Sequence, residues 1–338
     1  MSSNKARLRR LIFLAAKLVF AVVVLTWLFR KIDATRVWTS IRDAERGPIS
    51  LGLLLALVTI GIAGWRWHRW LAIFDIHIPL LSLTFIAQIG QFFIMFLPGP
   101  LGDDLTRMLY ITRLAPGRVG EACTTVVLDR CLGLASVLVL AVLCIPWQWD
   151  VLSTSRQTYW LALVILAGGA ALCIFGAAFF LAGHPTHQWF EKRLRALPAH
   201  SLRDEAARIW GLLCVNKMAL AQIVGAAVFT QFLLCLLFYL AGLSVGIRAP
   251  FLAWLTFVPI ILAANALPIT IAGFGVREYL LVLFLSVTAH VESERALAAS
   301  FVVFAMILCV SLLGGVLYIF YKPQRETNGL DEGGDPIA

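Results

Sequence analysis

Residues 97–104 read Leu97-Pro98-Gly99-Pro100-Leu101-Gly102-Asp103-Asp104, and residues 267–278 read Leu267-Pro268-Ile269-Thr270-Ile271-Ala272-Gly273-Phe274-Gly275-Val276-Arg277-Glu278. Each stretch interrupts a long apolar run, roughly 79–113 in the first case and 251–289 in the second. Proline removes a backbone donor and glycine costs about 1 kcal/mol inside a helix, so neither run crosses a bilayer as one unbroken helix. Both read as re-entrant helical hairpins, one broken at Pro98, Gly99 and Gly102 and the other at Pro268, Gly273 and Gly275.

A full span needs about 20 apolar residues. Six stretches supply them, at roughly 11–29, 48–64, 123–145, 159–182, 218–241 and 297–321. The composition agrees: 60% of the 338 residues are hydrophobic, 14% are charged, and the mean hydropathy is +0.87. Soluble domains carry about 25% charged residues, so a soluble two-domain enzyme is excluded, as are disordered, collagenous and coiled-coil chains. The fold class is an all-α polytopic membrane protein of about six full spans and two re-entrant hairpins. One transmembrane domain is expected over residues 1–321, with a flexible polar tail at 322–338.

The two hairpins echo each other. Leu97-Pro98 is followed after eight residues by Arg107, and Leu267-Pro268 after eight residues by Arg277. Each hairpin lies between full spans, giving repeat 1 at about 48–145 and repeat 2 at about 218–321, with a basic loop at about 183–217 before the second. If the first hairpin enters from one side and the second from the other, the chain is an inverted repeat with discontinuous helices. Such an architecture places a binding site at the repeat interface.

Direction follows from the positive-inside rule. With both termini in the cytoplasm, the cytoplasmic segments carry 17 Lys and Arg and the external loops 8, although loop 30–47, with five of those 8, argues the other way. The N-terminus resembles a signal peptide through Lys5, Arg7, Arg9 and Arg10. Its apolar stretch ends in Trp27-Leu28-Phe29-Arg30-Lys31 without a small-x-small site, so it reads as an uncleaved first span of a multi-pass membrane protein. The net charge of +9 fits basic loops against anionic lipid rather than nucleic acid. Seven cysteines without a CxxC pair indicate neither zinc nor a disulfide framework.

Charges at bilayer depth need partners or a watery cavity. Asp103 and Arg107 are four residues apart and share a helix face, with Asp103 and Asp104 near the positive N-terminal end. Asp129 and Arg130 point about 100° apart on the next span, so each should find its partner elsewhere. The same angle separates Arg277 from Glu278, so that one faces a cavity while the other anchors the hairpin. Two readings stand: buried ion pairs that lock the hairpins, or a lined cavity. A guanidinium is the natural fork for phosphate, which makes Arg107, Arg277 and Arg130 candidate headgroup ligands, with Asp103, Asp129 and Glu278 balancing their charge.

Gln88, Gln91 and Asn265 either line a polar path or bond between helices. Trp65, Trp67 and Trp70 with Arg66 and Arg69 read as an interfacial cluster that either anchors the chain in the membrane or recognises a headgroup. Segment 183–217, with Leu194, Leu197, Leu202 and Ile209 among charges, reads as an amphipathic surface helix; its His184, His187 and His200 lack ligand spacing. Gly273-Phe274-Gly275 lacks the strand that precedes a nucleotide loop, and no Walker A sequence is present, so no cofactor, metal or catalytic residue is expected.

The run from Gln91 to Asp103, then Arg107, Leu128-Asp129-Arg130 and Leu267-Pro268 through Gly273-Phe274-Gly275-Val276-Arg277-Glu278, resembles the lysylphosphatidylglycerol synthase transmembrane family, also called flippase-like membrane proteins. The resemblance spans about residues 8–321. It assigns Pro98, Gly99, Gly102, Asp103 and Arg107 to the first hairpin motif, Arg130 to the following helix, and Pro268, Gly273, Gly275, Arg277 and Glu278 to the second. The family tends to have Glu where this chain has Asp129, which puts an exact proton-relay role in doubt. The multiple peptide resistance factor of this family also carries a soluble aminoacyl-transfer domain, which the 17 residues after Tyr321 cannot form.

The resemblance and the charges together imply a translocase, flippase or scramblase, of the prokaryotic cytoplasmic membrane, for a lipid with a polar or anionic phosphorylated headgroup. Two other readings are a non-catalytic membrane partner of a lipid-modifying enzyme and a membrane-embedded lipid-carrier transferase with a divalent ion at Asp103 and Asp104. Gly242 and Gly246 form a GxxxG that would suit a homodimer, but at a loop end.

Overall fold

Apolar runs bounded by polar turns fold as helices throughout the computed structural model, which describes residues 34–95, 101–153, 156–181, 200–266 and 275–321; no strand occurs among them. The expected first span, Pro98, Gly99, Pro268, Gly273, His184, His187, Leu194, Leu197 and the tail lie outside the described residues. The chain runs α1 (Ala34–Arg42), α2 (Arg46–Ile73), α3 (Leu80–Ile94), α4 (Leu101–Leu114) and α5 (Val119–Cys144). A 3-10 turn, Ile145–Gln148, leads to α6 (Trp149–Ser153), then α7 (Arg156–Leu181), α8 (His200–Val215), α9 (Lys217–Ser244), α10 (Phe251–Ala266), α11 (Val276–Ala289) and α12 (Ser293–Phe320). Among the described residues five helices are long and apolar enough to cross a membrane: α2, α5 with its 3-10 extension, α7 from Ala162, α9 and α12. The shorter helices flanking each Pro/Gly break form the two hairpins, α3–α4 and α10–α11. The chain is an all-helical, polytopic membrane protein, and its exposed apolar faces, such as Val164, Ile174 and Leu181 on α7, meet lipid.

The repeat is carried by element lengths and by one turn. Helices of 28, 15, 14 and 26 residues (α2 to α5) are matched by helices of 28, 16, 14 and 28 (α9 to α12). Helix α2 ends with Asp75 in the left-handed region, the Asp75 N–H donating to Ala72 O and the Ile76 N–H to Leu71 O. Helix α9 ends identically: Gly246 is left-handed, its N–H donates to Leu243 O, and the Ile247 N–H donates to Gly242 O. Both are Schellman caps, which satisfy the last carbonyls and reverse the chain into the next helix. The GxxxG glycines are thereby accounted for within one chain, Gly246 by its turn and Gly242 by close packing on Trp254.

The repeats are inverted. At one end of α2 the Glu45 N–H donates to Ser244 O at the close of α9 (2.8 Å), and at the other end Arg69 bonds Gln222 near the start of α9, so the two helices run antiparallel. Packing is symmetric under exchange of the repeats: α2 lies on α9, α3 on α12, and α10 on α5. Each hairpin is therefore held against the last long helix of the other repeat. Within the first hairpin, Gly102 lets α4 approach the backbone of Phe93 and Ile94 more closely than any side chain would permit.

Between the repeats, the described part of the basic segment forms the helix α8, His200–Val215. Its Trp210 packs edge-on against Phe179 of α7 (4.9 Å between centroids), and Arg208 bonds Glu121 of α5 (2.6 Å). Segment 30–47, read as a loop, contains α1, whose Val37 is buried while Trp38 stays exposed. The three-residue and four-residue spacing of Val37, Ile41 and Ala44 gives it one apolar face to lay on the bundle.

Candidate functional site

Four charged side chains meet where α2, α4 and α5 pack. Asp103, in the first turn of α4, accepts from Arg107 Nε at 2.9 Å, the four-residue pair expected of a helix starting near residue 101. Arg107 Nη1 donates to Asp129 Oδ2 of α5 at 3.1 Å. Arg66 of α2 grips the same carboxylate as a fork, Nη2 to Oδ2 at 3.0 Å and Nε to Oδ1. Arg107 also lies over the ring of Trp67, 5.3 Å from its centroid, and Trp67 Nε1 donates to Thr125 Oγ1. Arg66, Arg107 and Asp129 are all more than nine-tenths buried. Attraction between opposite charges is strong at this depth, and it opposes the loss of hydration.

Arg66 is the residue sequence reading missed. Its assignment to an interfacial tryptophan cluster is corrected here: α2 does not stop at Gly64 but continues to Ile73, carrying Arg66, Trp67 and Trp70 into the bundle. The signal was present as an arginine 20 residues into a helix that begins at Arg46, opposite an unpaired acid on a neighbouring span. Asp129 and Arg130, as their angular separation predicts, do not pair with each other. Arg130 Nε instead stands 3.6 Å from Asp104 Oδ2, an ion pair with both side chains partly exposed (28% and 21%).

The second hairpin is built differently. Gly275 precedes α11 with φ of 88°, and Glu278 reaches back so that its carboxylate accepts from the Gly275 N–H at 2.7 Å. Such back-bonding supplies one of the orphan donors at a helix start. Arg277 then folds over the same carboxylate, with Nε at 3.1 Å from Oε1, and donates to Ser300 Oγ of α12 at 3.0 Å. Adjacent side chains thus do pair here, contrary to a plain 100° argument, because Glu278 turns back toward the N-cap and the arginine is long enough to follow. Arg277 lies 5.6 Å over the Phe304 ring.

Both hairpins face one cavity of about 410 Å³ between the repeats. Arg107, Arg130, Asp103, Asp104, Asp129 and the additional Arg66 line it from repeat 1, and Arg277 lines it from repeat 2. Glu278 stands behind Arg277 and is fully buried. Gln91 and Asn265 are on the wall, as is Gln231 of α9, which sequence reading did not single out. Gln88 is turned away, its amide donating to Val310 O of α12. Gly102 and Gly275 act on backbone geometry rather than on the cavity surface.

Among the described residues, four arginines and four carboxylates balance around this space, and each arginine already has an acidic neighbour. An entering anion would exchange one charge-assisted bond for another instead of meeting bare guanidinium groups. Asp103 and Asp104 turn to different arginines, and among the described residues no group of three or more His, Cys, Asp or Glu is placed to hold a metal ion. The family model describing the lysylphosphatidylglycerol synthase TM region matches residues 14–315 of the chain. No curated protein matches it.

Proposed function

The chain belongs to the lysylphosphatidylglycerol synthase transmembrane family, and on that premise we propose that it is a lipid translocase, a flippase or scramblase of the cytoplasmic membrane. One observation carries the reading: Arg107 and Arg130 from one repeat and Arg277 from the other, far apart in sequence, share the wall of a single cavity between inverted hairpins. A phosphorylated headgroup takes the guanidinium bonds while its acyl or prenyl chain remains in the bilayer. Asp103, Asp129 and Glu278 keep the site neutral when it is empty of anion. Because the repeats run antiparallel, an outward tilt of either hairpin would open the same site to opposite leaflets. The work is positional and electrostatic, with no covalent step.

The test is reconstitution of the purified chain in liposomes with fluorescent phospholipids and a polyprenyl-phosphate sugar, timing headgroup accessibility to an external quencher. Protein-dependent acceleration that Arg277→Ala abolishes, with folding intact, is the expected result. Acceleration shared by Arg277→Ala and Arg107→Ala would remove the phosphate role. No acceleration for any lipid would favour a non-catalytic partner of a lipid-modifying enzyme.

A further inference from the structure

The two repeats close their hairpin bases in different ways. In repeat 1 the left-handed turn after α2 is stapled to the start of α5. Arg118, the N-cap of α5, donates from Nη1 to Asp75 O at 2.9 Å and from Nε to Glu121 Oε2 at 2.6 Å. The matching turn of repeat 2 has Gly246 in place of Asp75 and Arg248 in place of His77. At the start of α12 the charges are exchanged: Glu292 is the N-cap and Arg295 lies three residues on, where α5 has Arg118 and Glu121. Among the described residues no hydrogen bond or ion pair joins the α9–α10 turn to the α11–α12 turn. A pocket of about 360 Å³ opens between them, lined by Gly246, Arg248, His290, Glu292 and Arg295. It shares no lining residue with the inter-repeat cavity.

The lining is rich in donors that have little to hold. Arg248 is exposed and makes no hydrogen bond or ion pair among the described residues. Arg295 stands 3.7 Å from Glu292, both side chains are more than half exposed, and so weak a contact yields to a stronger bond. A phosphate oxygen accepting from a guanidinium is such a bond. We propose that this pocket is an anion site: a phosphate group, carried by a lipid headgroup at the membrane surface or free in solution, bridges Arg248 and Arg295, with His290 as a further donor. The bound anion does what Arg118 does in repeat 1, tying together the two turns at the base of the hairpin. The site stands apart from the headgroup path between the repeats, and the inference does not rest on the translocase reading.

The test follows amide hydrogen exchange of segments 245–250 and 289–296 in the full chain, purified in dodecyl maltoside, a detergent without phosphate. Inorganic phosphate, phosphatidylglycerol and, as the uncharged lipid, diacylglycerol are titrated at constant ionic strength. Both turns should exchange more slowly with a phosphate-bearing probe and be unchanged by diacylglycerol. Protection by inorganic phosphate and phosphatidylglycerol alike supports a site open to free anions; protection by phosphatidylglycerol alone supports a headgroup site. Arg248→Ala should raise the half-saturating concentration about tenfold or more, the weight of a charge-assisted bond. Glu292→Gln, which frees Arg295, should lower it, and Arg113→Ala, an exposed arginine outside the pocket, should leave it unchanged. All three side chains are exposed, so the variants should melt with the wild type. Protection by neither phosphate-bearing probe would overturn the inference. So would equal weakening in Arg248→Ala and Arg113→Ala, the mark of a generally basic surface.

Discussion

Arg107 Nη1 donates to Asp129 Oδ2 at 3.1 Å, so the second arm of the first hairpin is tied to α5 through a carboxylate that also holds Arg66 of α2. Removing that carboxylate would leave two buried guanidinium groups with Asp103 as the one acid at ion-pair distance among the described residues. Breaking a buried ion pair in this way costs about 3–5 kcal/mol. Asp129→Ala should therefore lower stability by that order in a denaturant titration of the detergent-solubilised protein followed by tryptophan fluorescence. Asp104→Asn, which removes a partly exposed ion pair at 3.6 Å, should cost under about 1 kcal/mol. Equal losses would contradict the division into a locked cluster and a loose pair.

The close contact of α3 with α4 gives a second expectation. A Cβ on Gly102 would meet the Phe93 backbone, and one on Gly90 would meet the Asp103 carboxylate. Gly102→Ala and Gly90→Ala should each cost about 1–3 kcal/mol by overpacking. Gly90→Ala should also weaken the Asp103–Arg107 bond and with it lipid movement. Gly225→Ala on α9 is the control, since nothing lies within 4 Å of its added methyl; it should be neutral or stabilise by up to about 1 kcal/mol. If all three behave alike in the same titration, hairpin closeness is not what those glycines provide.

Five spans and both hairpins were legible in the sequence because length, apolarity and Pro/Gly breaks are local properties. The 48–64 span became α2 to Ile73 because tryptophans flanking Arg66 resemble an interfacial end, and only the distant Asp129 reveals that the arginine is inside. Asp103 with Arg107 was legible for the same local reason, being one helical turn apart. The pairing of Arg277 with its neighbour Glu278 was not, since it depends on Glu278 turning back to Gly275. Gln231 gave no signal: a glutamine in an apolar run is ordinary until it is found on the wall of a cavity.

Arg130 separates transport from stability. It lines the cavity with a side chain 28% exposed and touches Asp104 only at 3.6 Å. Arg130→Gln should change the unfolding free energy by under about 1 kcal/mol. On the translocase reading it should slow lipid movement by about tenfold or more, the weight of a charge-assisted bond. Arg107→Gln should lose both together, because Arg107 also holds the α4–α5 contact. A normal transport rate in folded Arg130→Gln would remove Arg130 from the headgroup path.

The inverted topology places equivalent turns on opposite faces of the membrane. His77 follows the Asp75 turn at the base of the first hairpin, and Arg248 follows the Gly246 turn at the base of the second; both are exposed. With the native cysteines replaced, a membrane-impermeant maleimide added to intact cells should label Arg248→Cys and leave His77→Cys unlabelled until the membrane is permeabilised. The reverse pattern would keep the inversion and turn the protein over, giving weight to the five basic residues of segment 30–47. Labelling of both from one side would refute the inversion. The cavity would then lack the two-sided access on which movement between leaflets depends.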